Sequence, residues 1–191
     1  QVGDIEADVK GILISVDVTE DTIDEALDND CNMIVAHHPL LFRGMKKVIG
    51  SDFVQRVVIK AIKHDVVIFA AHTNLDKCEG GVSWRMAEWL GLSNVSVLVP
   101  DTRSAVVILG TDKSNSQATV GLGCVGDFPN EMTEQEALLF VKKTFNVQCV
   151  RHSSLTGRMV KRIALCGGSG AEFIEDAKKV CDEVGVDVYN I

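Results

Sequence analysis

Short runs of apolar residues alternate with amphipathic segments along the first hundred residues of the chain. The apolar runs are continuous and rich in Val and Ile, which is typical of parallel strands covered by helices on both faces. Between them, apolar residues recur at the spacing of a helix that buries one face. The pattern predicts a strand at 11–19, a helix at 21–29, a strand at 32–38, a helix at 51–64, a strand at 66–72 and a helix at 82–92.

Polar residues and glycines at the edges of these segments indicate where the helices begin and end. Asp21 or Thr22 is predicted to cap the first helix, and Ser51 is predicted to cap the second. Gly91 is predicted to follow the last turn of the third helix, where a left-handed residue is common. Each of these positions can be checked against the backbone of the structure.

A turn signal at 98–104, with Pro100 and Asp101, is the best candidate for a domain boundary. It predicts one α/β domain at 1–100 and a second at 101–191. The second half shows a strand-like run at 104–111, a glycine-rich loop at 121–130, a helix with a Thr133–Glu136 capping box, a strand at 161–168, a helix at 171–185 and a final strand at 186–191. The predicted fold class is therefore α/β, with two halves whose mixed, largely parallel sheets are covered by helices.

Composition narrows the class of protein. The 191 residues carry 27 acidic and 19 basic side chains and a net charge of −8, which argues against a nucleic-acid surface. No apolar run approaches the roughly 20 residues of a membrane helix, and no signal peptide is recognisable. Six cysteines are scattered without a C-x-x-C pair. This usage predicts reduced thiols in a cytoplasmic protein.

Polar side chains follow three of the predicted strands at the point where each strand ends. The first predicted strand ends at Asp17 and Thr19, His37 and His38 end the second, and His72 ends the third, with Asp76 four residues later. The carboxyl ends of parallel strands meet at one edge of a sheet, so these groups are expected to converge. Imidazole and carboxylate ligands suit zinc, iron or manganese, although a single histidine at a strand end is usually only a polar terminus.

The adjacency of His37 and His38 adds a geometric expectation. Successive residues of a regular strand point to opposite faces, so the two rings cannot both reach one metal from such a strand. At a fraying strand end they could each reach a different metal. Two metals about 3.5–4 Å apart can hold and activate a bridging water. Pro39 keeps His38 extended and prevents a helix from starting there.

A glycine-rich turn at Gly167, Gly168, Ser169 and Gly170 is the second candidate site. Free N–H groups at the start of the following helix could bind a phosphate or carboxylate. The alternative is a tight strand-to-helix turn that needs glycine for backbone reasons. No Walker lysine and no full dinucleotide fingerprint accompanies the turn, so both interpretations stay open.

The stretches "QVGD", "VDVT", "AHHPLLF", "HTNLD" with a following "GGV", and "ALCGGSG" occur in this order. In them the chain resembles the NIF-three-like family, also called GTP cyclohydrolase type-2 homologues, over essentially its whole length. The resemblance implies a dinuclear metal centre in an α/β protein that forms a ring-shaped homohexamer. It implies that His37, His38 and Asp76 are ligands of two divalent ions, with Asp76 bridging. His72 matches a histidine that supports the site or faces the substrate.

Three functions are consistent with these features. The first is a metal-dependent hydrolase acting on a nucleotide-like or phosphate-bearing small molecule. The second is a non-catalytic metal-binding ring with a regulatory or protein-interaction role. The third is an anion-binding module built on Gly167 to Gly170. Members of the family carry a further His and Glu near the C-terminus that have no match here, and this chain begins at what resembles the family's "LQVGD" stretch. The resemblance therefore implies that the chain is truncated at both ends.

Overall fold

The computed structural model describes residues 1–101 and 120–184, with the side chains of 181–184 outside the description. The predicted strands at 104–111 and 186–191 therefore lie outside the described residues. The chain divides into two compact units, Gln1–Asn74 and Leu75–Ile191. Among the described residues, no helix combines the length and the apolar character needed to cross a membrane.

The first unit confirms the predicted alternation of strands and helices. Its strands form a parallel sheet in the order β1-β2-β3, in which Ile14 is level with Val35 and Val35 with Phe69. Each strand is shorter than predicted, because the ladder ends before the polar residues at its predicted carboxyl end. The elements of this unit are β1 (Ile12–Ser15), α1 (Glu20–Asp28), β2 (Met33–Ala36), α2 (Phe53–Lys63) and β3 (Val67–Ala70). The one-turn helix α3 (Thr73–Asp76) follows and crosses the division between the two units.

The residues predicted to cap the N-termini of α1 and α2 are wrong, although the observed caps lie only a few positions away. Thr19, not Asp21 or Thr22, caps α1, because its backbone is extended and its hydroxyl accepts from the N–H of Thr22 at 3.0 Å. Asp52, not Ser51, caps α2, and its carboxylate accepts from the backbone N–H three residues on at 2.9 Å. In both helices the residue immediately before the first turn supplies the acceptor.

The two faces of the parallel sheet are in different environments. One face packs against α1 and α2 in a core whose fully buried members include Ile23, Ile34, Val57, Ala61 and Ile68. On the other face Ile12, Ile14 and Phe69 are 53%, 81% and 45% exposed. Parallel sheets are usually covered on both faces. The described part of the first unit therefore leaves one apolar sheet face bare.

The second unit contains an antiparallel sheet in the order β4-β5-β6. A sheet of parallel strands and one of antiparallel strands, both with helices against them, confirm the mixed α/β fold class. The elements are α4 (Val82–Trp89), β4 (Ser93–Pro100), β5 (Gly121–Thr133), α5 (Glu134–Thr144), β6 (Met159–Leu165), a 3₁₀ turn (Ala171–Phe173) and α6 (Ile174–Val184). The Thr133–Glu136 capping box is present, and Gly91 follows α4 with a φ of +64° as predicted.

Two sequence interpretations of the second half need correction. The stretch 121–130 is part of strand β5, not a loop, and its first glycine is needed because a Cβ at Gly121 would lie 2.3 Å from the carbonyl oxygen of Val99. The predicted boundary near residue 100 falls inside the second unit, because β4 pairs along its length with β5. The division between the units lies instead between Asn74 and Leu75.

Candidate metal centre

Three imidazole rings cluster at the carboxyl edge of the parallel sheet. His37 and His38 follow β2 directly, and His72 follows β3 after one intervening residue. The ring centroids of His37 lie 5.2 Å from those of both His38 and His72, and the rings of His38 and His72 are 6.0 Å apart. The expected convergence of the strand ends is therefore confirmed for the three histidines. Their role as metal ligands stays a prediction.

The backbone at His37 and His38 explains how adjacent residues bring their rings to the same edge. The N–H of His37 donates to the carbonyl of Ser15 at 3.1 Å, and the N–H of His38 donates to the carbonyl of Val16 at 2.9 Å. In a regular strand, N–H groups of successive residues point to opposite sides. Two consecutive bonds to the same neighbouring segment show that the regular strand has ended. This is the irregular strand end that the pair was expected to occupy.

Hydrogen bonds fix which ring nitrogen each adjacent histidine presents. His37 Nδ1 lies 2.9 Å from the carbonyl oxygen of Ala71, and His38 Nδ1 lies 2.8 Å from Oδ1 of Asp17. A carbonyl and an ionised carboxylate only accept, so both Nδ1 atoms carry the proton. In the neutral imidazole, each Nε2 then bears the lone pair that a metal needs. Both rings are held in the tautomer in which a histidine binds metal through Nε2.

His72 is held differently from the other two rings. Its Nδ1 lies 3.3 Å from the hydroxyl of Thr73, and a hydroxyl can donate or accept. The tautomer of His72 is therefore not fixed by its neighbour. A half-buried imidazole that is free to exchange tautomers suits a group that faces a substrate, which agrees with the predicted role but does not test it.

Asp76 ends α3 and belongs to the second unit. Its Oδ1 atom is buried and has no hydrogen-bond partner among the described residues. A buried carboxylate oxygen without a protein donor is costly unless a water molecule, a proton or a cation satisfies it. In the same unit, burial raises the pKa of the Cys166 thiol, and the charges of Asp76 and Glu172 raise it further. The unpartnered oxygen fits a metal ligand in type and in environment.

The described donors do not form a closed coordination sphere. Within residues 1–101 and 120–184, no group of three or more His, Cys, Asp or Glu side chains is arranged so that it could hold a metal ion. Two presented imidazole nitrogens and one unpartnered carboxylate oxygen are nevertheless the donor types that zinc, iron and manganese bind. The donor chemistry of these residues therefore fits such ions.

In the glycine turn after β6, two of the glycines are required by the backbone geometry. A Cβ at Gly167 would lie 2.6 Å from Cγ1 of Val82, and Gly168 has a φ of +74°. The N–H of Gly167 donates to the hydroxyl of Ser83 at 3.1 Å, and the N–H of Gly170 donates to the carbonyl of Gly168 at 3.1 Å. Two of the N–H groups are thus already used. Anion binding at Gly167, Gly168, Ser169 and Gly170 stays a prediction.

Sequence reasoning placed Asp17 at this edge of the sheet but missed its contact with His38. The two residues are 21 positions apart, so no local motif reveals their pairing. The only signal available is that a carboxylate and an imidazole end neighbouring strands. The carbonyl of Ala71, which orients His37, is a main-chain atom and leaves no signal in the side chains.

Comparisons with known proteins bear on this site. The sequence model of the family described as Duf34/NIF3 (NGG1p interacting factor 3) matches residues 1–189. A protein of Clostridium acetobutylicum named GTP cyclohydrolase 1 type 2 homolog is 32% identical over 178 residues, covering 93% of this chain and 62% of the relative. A protein of the same name from Clostridium perfringens is 33% identical over 179 residues, covering 94% and 63%. The chain spans less than two thirds of the length of these curated relatives.

Solved structures share the fold. A Bacillus cereus protein related to NIF3 superposes with a TM-score of 0.81 at 23% identity, covering 100% of this chain and 80% of that protein. A hypothetical protein of Staphylococcus aureus gives a TM-score of 0.77 at 26% identity, covering 100% and 76%. The match over the whole chain supports the same arrangement of strands and helices in these proteins.

Proposed function

Because this chain belongs to the Duf34/NIF3 family, we propose that it binds two divalent metal ions and acts as a metal-dependent hydrolase on a nucleotide-like or phosphate-bearing small molecule. The observation that carries the proposal is the pair of adjacent imidazoles, both held with Nδ1 protonated and Nε2 available. The name of the Clostridium relatives, which refers to a GTP cyclohydrolase, supports a nucleotide-like substrate.

The proposal assigns His37 and His38 as ligands, one to each metal position. Their different Nδ1 partners place the rings independently, which suits two positions better than one. Asp76 is the third proposed ligand, because its buried Oδ1 has no hydrogen-bond partner among the described residues; its bridging role is what the family resemblance implies. His72, which follows β3 and precedes α3, is proposed to face the substrate. Zinc, iron and manganese all suit this ligand set.

Divalent ions held in this way supply Lewis acidity and make a water molecule nucleophilic near neutral pH. The protein's own contribution is positional. Ala71 and Asp17 orient the two histidines before any ion binds, so little rearrangement is needed on binding. The 3.3 Å contact between His72 and Thr73 leaves the imidazole of His72 able to accept or donate a proton at a substrate oxygen.

The proposal is tested by measuring bound metal in the purified protein by mass spectrometry. We expect His37→Ala, His38→Ala and Asp76→Ala each to lower metal content by at least about tenfold, as expected when a direct ligand is lost. His64→Ala is the matched control, because His64 is an exposed histidine at the end of α2. Unchanged metal content in all three variants would contradict the proposal.

Turnover is the second part of the test. Nucleotides and phosphate esters are screened with added zinc, iron or manganese, and hydrolysis is expected to disappear in Asp76→Ala but not in His64→Ala. Absence of turnover with every substrate, in a protein that does bind metal, would favour the non-catalytic alternative over the hydrolase.

The bare apolar face of the parallel sheet favours one alternative, a metal-binding assembly of several copies with a regulatory or protein-interaction role. Ile12, Ile14 and Phe69 lie on this face and are exposed. A second copy of the chain is the proposed occupant, as in the ring homohexamer that the family resemblance implies. Light scattering should then give a mass above that of one chain, and Ile14→Lys should lower it. A monomeric wild-type protein would contradict this alternative.

The cysteines support a reducing compartment, and we propose the cytoplasm. Cys31, Cys124, Cys149 and Cys166 are all thiols in the structure. Burial, assisted by the nearby Cys166, raises the pKa of the Cys124 thiol to about 12, so this group stays protonated and unreactive. Disulfides are common in periplasmic and secreted proteins and rare in the cytoplasm.

A further inference from the structure

We infer that Asp17 is a positioning residue that makes the two metal positions unequal by strengthening His38 as a ligand. The inference rests on the proposed function. It concerns a residue that the metal-site resemblance leaves out, and its basis is the difference between the Nδ1 partners of the two adjacent histidines.

The two partners differ in charge. His37 Nδ1 donates to the neutral carbonyl of Ala71 at 2.9 Å, and His38 Nδ1 donates to the carboxylate of Asp17 at 2.8 Å. A carboxylate partner draws the Nδ1 proton more strongly than a carbonyl does, and this makes the Nε2 lone pair of that imidazole a better donor to a metal. The metal position to which His38 belongs is therefore expected to bind its ion more tightly than it would without the contact from Asp17.

The contact is poorly explained as a device for stability. The side chains of His38 and Asp17 are 54% and 68% exposed. Ion pairs in such exposed positions contribute little to folding, because water screens them and two side chains must be ordered. A short contact between exposed groups at a candidate metal site is better explained by what it does to the imidazole.

Asp17 is also held in place on both sides. The hydroxyl of Ser15 donates to the carbonyl of Asp17 at 2.6 Å. On the other side, Val18 is buried in the core, and Thr19 caps α1 through its bond with Thr22. The carboxylate therefore projects from a short, anchored segment between β1 and α1, which suits a residue that must orient another side chain.

The test compares Asp17→Asn, Asp17→Ala and the control Asp28→Asn, an exposed carboxylate on α1. Asn keeps an acceptor oxygen but removes the charge, and Ala removes both. Zinc affinity is measured by competition with a chromophoric chelator, which resolves two binding events. We expect Asp17→Asn to weaken one event about tenfold and to leave the other unchanged, with a larger loss in Asp17→Ala. Asp28→Asn should behave as the wild type.

A second readout uses the metal-free protein. Long-range ¹H–¹⁵N correlation spectra of the imidazoles report which nitrogen carries the proton. We expect His38 to carry it on Nδ1 in the wild type and to lose this preference in Asp17→Ala, while His37 keeps it in both. If Asp17 had only a structural role, Asp17→Ala would not change the position of the ring proton at His38 alone.

Several outcomes would overturn the inference. Equal weakening of both events, unchanged affinities in Asp17→Ala, or a metal-free His38 protonated on Nε2 would each contradict it while the wild type still binds two ions. A wild-type protein that binds no zinc would overturn the proposed function as well. The two failures are thus distinguishable.

Discussion

Glu134 in the second unit and His38 in the first are both polar side chains held by short hydrogen bonds, but they use their bonding capacity differently. The carboxylate of Glu134 is buried, accepts from the N–H and hydroxyl of Thr156 at 2.8 Å, and accepts from the N–H of Gly157 at 2.7 Å. His38 uses one ring nitrogen on Asp17 and keeps the other available. The first arrangement closes a loop, and the second leaves a donor for a ligand.

The same contrast holds for the two sheets. In the antiparallel sheet, Asp127 on β5 accepts from Arg162 on β6 at 2.6 Å, and this bond, with help from Asn94, holds the pKa of Asp127 below its ordinary value despite burial. The parallel sheet has a polar edge and a bare apolar face. Charges of the second sheet are used to join strands, whereas polar groups of the first sheet face outward from strand ends. The polar groups at the strand ends of the first sheet are therefore the candidates for binding a ligand.

The largest expected effect separates the two faces of the parallel sheet. Ile34→Ala empties a fully buried position and should cost about 2–5 kcal/mol of unfolding free energy. Ile14→Thr, on the opposite face and 81% exposed, should change it by no more than about 0.5 kcal/mol. Urea unfolding followed by circular dichroism measures both. A comparable loss in Ile14→Thr would show that the bare face is covered in solution.

The next effect concerns the glycine turn after β6. Gly167→Ala should destabilise the protein by about 1–3 kcal/mol, because the new Cβ would overlap Val82. Gly168→Ala should cost about 1–2 kcal/mol, because its left-handed φ disfavours a side chain. Thermal unfolding with and without inorganic phosphate measures both. A phosphate-dependent gain in stability that is present in the wild type and lost in Gly168→Ala would instead favour the anion site.

Sequence patterning predicted the parallel half of this fold better than the antiparallel half, and the reason is physical. The strands of the parallel sheet are short, continuous apolar runs, as at 33–36 and 67–70, and such runs can be recognised locally in the sequence. Strand β5 carries glycines where other chain segments approach closely, for instance Gly121 against Val99. In the sequence, a strand that contains such glycines resembles a glycine-rich loop. Close approach is a tertiary property, which a local pattern does not reveal.

Part of the candidate site was also predictable from the sequence and part was not. The positions of His37, His38 and His72 were predictable, because side chains at the carboxyl ends of neighbouring parallel strands must meet. The tautomers of His37 and His38 were not predictable, because one partner is a backbone carbonyl and the other is distant in sequence. Caps such as Thr19 and Asp52 were missed by only a few positions, since several polar residues compete at each helix start.

The next prediction, smaller in expected effect than the glycine substitutions, concerns Glu134 and depends on pH. Burial raises the pKa of Glu134, but the bonds from Thr156 and Gly157 outweigh this and hold it below the ordinary value of 4.5. The carboxylate therefore stabilises the fold above pH 4.5, and this contribution is lost as the pH falls through the lowered pKa. We expect Glu134→Gln to be less stable than the wild type at pH 7.

The control for this prediction is Glu131→Gln, which alters an exposed carboxylate of β5. Unfolding is measured at several pH values from neutral to acidic. The stability difference between the wild type and Glu134→Gln should shrink as the pH falls below 4.5. A difference that does not change with pH would mean that Glu134 stabilises the protein through packing and not through its charge.

The smallest expected effect contrasts carboxylates of the two sheets. Asp17→Asn should change the unfolding free energy by no more than about 0.5 kcal/mol, because the Asp17–His38 pair is exposed. Asp127→Asn should lose clearly more, because the side chains of Asp127 and Arg162 are only 16% and 26% exposed and their pairing joins two strands. Urea unfolding at neutral pH in the absence of metal compares the two variants. If Asp17→Asn proved as costly as Asp127→Asn, the edge of the parallel sheet would be a structural joint like the one in the antiparallel sheet. A negligible loss leaves orientation of His38 as the remaining reason for the contact.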